Sequence, residues 1–466
     1  MKDSKSAPSE NTQSSKKIQP ALLARVLLIF GALYLVVAIP AHNPDLLSLR
    51  ALKFLSADQE STPNFAGLAP QFATLAHFHP SATSATTEDL RASFEYRGRA
   101  PHFGTDDRAR VPLNLKAQWE FQDFNIGIHS ASKASAAVDA SGVYVGSDGG
   151  WFYAFEHDGR VRWRFHVGDA RFGIHSTAAL DQRFVYFGTY AGVIYAVEKS
   201  TGQLRWAIGD LGVTVGASIR IVDDDLVAAV ETFDPLTQRG DGYLIRVRRS
   251  DGHVHWKGDW LGEQAHSTPA YAEASGLFIV GANNSRLIAI RATNGQVAWS
   301  IPAGGHIKSS PVIVGEEVLA TTWGNELIGV EIGSGKVLRR LRLRGLSQST
   351  PLVLPEQDRV IFLSNPGFIY GVSLRTFKLV WEKEIGAVRA LGSATGTRTP
   401  NGDWVAWTLC RPERLCALRP QDGRVLSEVP LNGNLTGVPV AYENSLYVTL
   451  DAPGSLLKLA PMASNK

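Results

Sequence analysis

His129, His175 and His266, with Lys308 and Gln348, stand at matching steps of a pattern that recurs about every forty residues. Gly216, Gly392 and Thr436 occupy the same step in the remaining units. Imidazoles, an ammonium and an amide gathered on one rim could hold a polar or anionic ligand. A metal is the stricter alternative: it needs several nitrogens at about 2.0–2.1 Å, and side chains spread around a wide ring do not supply them, so no metal is expected. The structural alternative is that these side chains hydrogen-bond backbone where each unit begins.

Other chemistry-bearing residues are few. Only two cysteines exist, Cys410 and Cys416. They flank a turn, Arg411 to Leu415, so a disulfide across a hairpin is expected in an oxidising compartment, against two small buried hydrophobes as the alternative. No nucleophile–base triad, phosphate-binding loop or zinc-protease motif stands in context, and no catalytic residue is assigned. One insertion, Glu231 to Gly242, departs from the regular units and offers Phe233 and Leu236 as candidate anchors for a partner; a solvated hairpin is the alternative. Arg340, Arg342 and Arg344 alternate on one face of a strand, suited to an acidic partner, lipid headgroups or simply a solvated rim.

The elements that position these residues are repeats. One unit runs Ile174-His175-Ser176-Thr177, Val185-Tyr186-Phe187-Gly188, Ile194-Tyr195-Ala196-Val197, Thr201-Gly202, Trp206; another runs from Ala265 to Trp299 on the same plan. Each gives four short strands. Asp158-Gly159, Thr201-Gly202, Asp251-Gly252, Asn294-Gly295, Ser334-Gly335 and Asp422-Gly423 supply the positive φ of the last hairpin. Four residues later comes Trp163, Trp206, Trp256 or Trp299, and Trp381 keeps that spacing although Phe377 replaces the glycine. Arg339 and Ser427 replace the tryptophan in two units. A tryptophan at a fixed outer-strand position is expected to wedge between neighbouring sheets.

Seven such units fill about 128–429. Leu113 to Phe121, with Trp119 placed like the other tryptophans, precedes them, and three strands follow them. The N-terminal strand is expected to complete that last sheet, giving an all-β, eight-bladed propeller of four-stranded antiparallel blades over 113–461 with no free edge.

The N-terminal part reads differently. Residues 1–20 are polar and read as a disordered cytoplasmic tail. Residues 21–41 are apolar but for Arg25, long enough to cross a bilayer. Lys16, Lys17 and Arg25 place the N-terminus inside, so a single-pass signal anchor in the cytoplasmic membrane is expected, with the propeller in the periplasm or outside; a cleaved signal peptide is the alternative. Residues 42–112 read as a flexible tether. The net charge of +3, with basic residues scattered, argues against a nucleic-acid partner.

The units resemble the quinoprotein-like (PQQ-like) repeat, on Gly142-Val143-Tyr144-Val145-Gly146-Ser147-Asp148, Tyr153-Ala154-Phe155 and Asp158-Gly159. Two branches of that family matter. The pyrroloquinoline-quinone (PQQ) dehydrogenases carry adjacent cysteines and a calcium constellation; this chain has no adjacent cysteines, so PQQ and calcium are not expected. The non-catalytic branch, similar to the BamB propeller of outer-membrane assembly, fits the short loops, although no lipid-attachment cysteine follows the apolar run. The resemblance implies a protein-binding scaffold of the cell envelope, serving outer-membrane protein assembly through a cell-envelope protein partner. The alternatives are a PQQ-dependent dehydrogenase and a small-ligand sensor using the histidine rim.

Overall fold

Glycine-centred hairpins between short apolar strands give eight antiparallel sheets arranged in a ring. The computed structural model describes residues 77–78, 94–98, 102–122, 134–168, 173–386, 392–451 and 454–461. All belong to one unit, Pro63–Lys466. The tail, the apolar run 21–41 and His129 lie outside the described residues. Among the described residues, no helix is long and apolar enough to cross a membrane.

The first blade shows the plan: Ala137–Asp139 lines the channel, followed outward by Gly142–Gly146, Trp151–Phe155 and Val161–His166. The middle two strands of each blade are almost wholly buried, because both of their faces pack on neighbouring blades. The eighth blade is closed by the N-terminal strand: Leu115–Gln122 pairs antiparallel with Ser455–Pro461, which continues inward to Ser445–Leu450 and Val440–Tyr442. This is the closure the repeat count implied.

The tryptophan position has a common geometry. The register between third and fourth strands shifts just beside it, between Ala154 and Phe155 in the first blade and between Ala117 and Trp119 in the eighth. Such a bulge re-aims the side chain, here toward the next blade. Indole Nε1 groups donate to carbonyls of the following blade: Trp119 to His157, Trp163 to Lys199, Trp206 to Arg249, Trp256 to Ala292, Trp299 to Ile332 and Trp381 to Pro420. The two replacements keep the bond, Arg339 donating to Leu374 O and Ser427 to Leu113 O.

A second belt runs around the channel. Backbone N–H groups of Ser135, Thr177, Ser218, Thr268, Ser310 and Thr350 each donate to the hydroxyl of the next blade's equivalent residue, at 2.8–3.2 Å. Val438 N–H of the eighth blade donates to Ser135 Oγ of the first at 2.8 Å. In several blades the preceding serine clamps its own second strand, as Ser176 Oγ does by donating to Gly188 O and accepting from Gly188 N. The paired Ser/Thr letters of each repeat are therefore one intrablade clamp and one interblade link.

Residues 94–98 and 102–111, which the sequence assigns to the tether, pack into the propeller instead. Phe94 pairs with Leu180 through two backbone bonds, and Thr105–Arg110 lies parallel to the inner strand Thr395–Arg398 of the seventh blade. Farther back, His77–Phe78 pairs with the outer strand Leu204–Ile208 of the second blade. Polar residues without a strand-like apolar alternation hid these pairings.

Candidate functional site

The inner strands begin at one face of the ring, called here the upper face. His175, His266, Lys308, Gln348 and Thr436 do converge there, on a channel cavity of about 160 Å³. Counting two residues back from the hydroxyl belt, the matching residues of the first and seventh blades are Lys133 and Leu391, not His129 and Gly392; Lys133, His129 and Leu391 lie outside the described residues.

The histidines are engaged by carboxylates of neighbouring blades. His175 Nε2 lies 2.8 Å from Asp148 Oδ1 of the first blade, with its ring 4.2 Å from that of Tyr190. His266 Nδ1 lies 2.6 Å from Glu231 Oε1 of the third blade. Burial first, then Glu231 and Asp148, push the Tyr190 hydroxyl up. Lys308 Nζ sits 4.4 Å from the centre of the Trp323 ring. Asp148 and Glu231 were missed as partners because each stands in a different repeat from its histidine.

The opposite, lower mouth is covered by Phe94 to Gly98. Glu95 accepts from Ile221 N at 2.8 Å and lies 3.6 Å from Arg220. Arg97 donates to Ala394 O at 2.7 Å and Pro351 O at 3.0 Å. Tyr96 lines the channel cavity from below. Burial lowers Arg97 to about 10.

Cys410 and Cys416 form a disulfide between the strands Trp404–Arg411 and Arg414–Leu418. With Glu428 they make the one cluster of three possible metal ligands among the described residues, and its two thiols are consumed by that bond. Arg340, Arg342 and Arg344 are all exposed. Arg340 pairs with Glu326 at 2.5 Å and Arg344 with Glu382 at 3.2 Å, so two of the three charges of this edge face a glutamate.

The insertion is a hairpin finger, an extension of the blade's two middle strands. Asp225–Asp234 and Arg239–Arg248 are ten residues each and pair without a break up to Asp234↔Arg239, above the upper face. Asp234 accepts from Leu236 N and Thr237 Oγ1, both at 2.8 Å, fixing the tip. Leu236 is 93% exposed and Phe233 42%. The finger is braced on both sides, by Val213 N donating to Glu231 O and Leu261 N to Gly242 O. These braces bring two further exposed apolar residues to its base, Val213 and Trp260, the latter 62% exposed and edge-on to Tyr243. Trp260 escaped notice because it lies outside the repeat spacing that marks Trp256.

Fold and repeat chemistry define a quinoprotein-like propeller. Family models for "Outer membrane protein assembly factor BamB" match residues 116–256, 153–304 and 240–411, and the chain belongs to that family. BamB of Yersinia pestis is 26% identical over 210 residues, covering 41% of this chain and 50% of that protein. The chain thus spans about half the length of this curated relative. Among solved structures, BamB from Moraxella catarrhalis superposes with a TM-score of 0.59 at 18% identity, over 76% of this chain and 99% of that one. The quinohemoprotein alcohol dehydrogenase of Comamonas testosteroni superposes with 0.64 at 13% identity, over 85% of each. At such identities the superpositions speak to fold alone.

Proposed function

We propose that this protein is an extracytoplasmic docking scaffold of the cell envelope, serving outer-membrane protein assembly. Residues 21–41 anchor it in the cytoplasmic membrane and the propeller faces the periplasm. Membership of the BamB family supports the role. The observation that carries the docking function is the braced finger, whose tip holds Leu236 almost wholly in solvent. An aliphatic side chain held out on a braced support loses little entropy when a partner covers it. The arginine edge is the second docking candidate, weakened by its two glutamate pairs.

The dehydrogenase reading has only its fold likeness to support it. The channel's upper cavity, of about 160 Å³, is small beside ligand pockets of roughly 300–1,000 Å³, while a second cavity of about 500 Å³ lies at the lower mouth against Tyr96, Arg97 and Lys199. Asp148 and Glu231 line the histidines of the upper cavity with negative charge, unfavourable for a carboxylate-bearing quinone, and the cysteines sit in the seventh blade's hairpin.

Deleting the gene tests the scaffold role: outer-membrane β-barrel proteins should fall in abundance and the parent gene should restore them. Unchanged barrel levels, with robust dye reduction by purified protein given PQQ, calcium and an alcohol, would reverse the reading. Protease added to spheroplasts should degrade the propeller; protection until lysis contradicts the orientation.

A further inference from the structure

We infer that residues 94–98 and 102–111 form a latch that holds the propeller ring shut at the seam between its seventh and eighth blades. Two independent observations meet there. The hydroxyl belt around the channel has one missing link. Six links run unbroken from Ser135 to Ser393, and Val438 N–H returns to Ser135. The remaining link requires Ser393 N–H to meet a hydroxyl on residue 438, and valine has none.

Residues 94–98 and 102–111 concentrate their bonds beside that gap. Arg97 spans the sixth and seventh blades through Pro351 O and Ala394 O. Gly104 O accepts from Gly396 N, and Arg398 O accepts from Val111 N, both in the seventh blade. Arg110 N then donates to Glu443 O of the eighth blade at 2.7 Å. One stretch of chain thus crosses the seam that the belt leaves open, where Thr395 Oγ1 to Pro439 O at 2.5 Å is the neighbouring side-chain link. Its far end is fixed across the channel on the second and third blades, through Phe94 to Leu180 and Glu95 to Ile221. Arg97 is the residue to remove: its buried guanidinium ties the segment to carbonyls of the sixth and seventh blades, and so fastens the stretch whose Arg110 N crosses to the eighth; five fixed donors on a planar group suit it to that task. A ring otherwise closed by one terminal strand, Leu115–Gln122 in the eighth blade, gains a second closure on its inner side.

Hydrogen exchange followed by mass spectrometry on the full chain tests this. In Arg97→Ala, amides of Thr395–Arg398 and Val440–Tyr442 should exchange about tenfold faster, while Ala270–Ala272 and Val312–Val314, in the fourth and fifth blades, keep the parent rates. Adding Val438→Thr should supply the missing acceptor and return most of the lost protection. The same substitution in the otherwise unaltered protein should slow exchange at the seam, and this arm stands even if Arg97→Ala does not fold. A rise spread equally over all blades, or seam rates unmoved by either substitution, overturns the latch.

Discussion

The Arg339 guanidinium lies 4.6 Å from the centre of the Phe377 ring, in the place where six other blades lay an indole on a glycine. A Cβ on Gly159, Gly202, Gly252, Gly295, Gly335 or Gly423 would come within 2.6–3.0 Å of the preceding blade's tryptophan ring. Each glycine therefore serves the turn and the stacking together. Between the fifth and sixth blades the roles are exchanged: the aromatic ring sits in the turn, on Phe377 at φ 56°, and the flat donor group comes from Arg339. The guanidinium still donates to Leu374 O and adds a pair with Glu317.

This exchange predicts strong coupling. Phe377→Gly and Arg339→Trp should each destabilise, by roughly 1–3 kcal/mol, and the double substitution should recover most of the loss. Denaturant unfolding of the four proteins gives the coupling directly. Additive losses would mean that the two residues act separately.

Framework and finger should respond oppositely to truncation. Trp206 is fully buried, so Trp206→Ala should cost roughly 3–5 kcal/mol. Phe233→Ala with Leu236→Ala should leave the melting temperature nearly unchanged, since neither side chain is buried. A large melting shift in the double variant would show that the finger is a structural element.

The lower mouth should be acid-sensitive. Burial, then the Arg220 charge, hold the His102 imidazole well below its usual value. The folded protein then stays neutral at His102 while the unfolded chain takes up a proton near about pH 6.5. Stability from this group is present above that pH and is lost as pH falls below it. Glu95 is raised by burial despite Arg220 and acts with the opposite sign nearer its own range. Between about pH 7.5 and 5.5 the melting temperature should therefore fall less in His102→Gln than in the parent. Equal slopes would remove His102 from the balance.

Legibility followed the reach of each interaction. Blade number and the N-terminal closure could be read because Trp119 and the Gly-x3-Trp spacing repeat within one unit's length. The rim was read in part: His175 and His266 were visible as a set, but Asp148 and Glu231, which engage them, stand in neighbouring repeats. The latch was hidden for a different reason. Thr105–Arg110 is polar, and Arg97 binds backbone carbonyls, which carry no side-chain signature. Arg339 and Phe377 each looked like a lapse from the repeat, and only their contact shows them to be one compensated change.

The docking role is tested most directly at Leu236. A photocrosslinking amino acid placed there, in the full chain expressed in cells, should yield a discrete adduct whose partner is identified by mass spectrometry as a component of outer-membrane protein assembly. The same probe at Leu338, exposed on the outer strand of the fifth blade, serves as the control and should give none. No adduct at Leu236, or the same adducts at both positions, would contradict a docking scaffold.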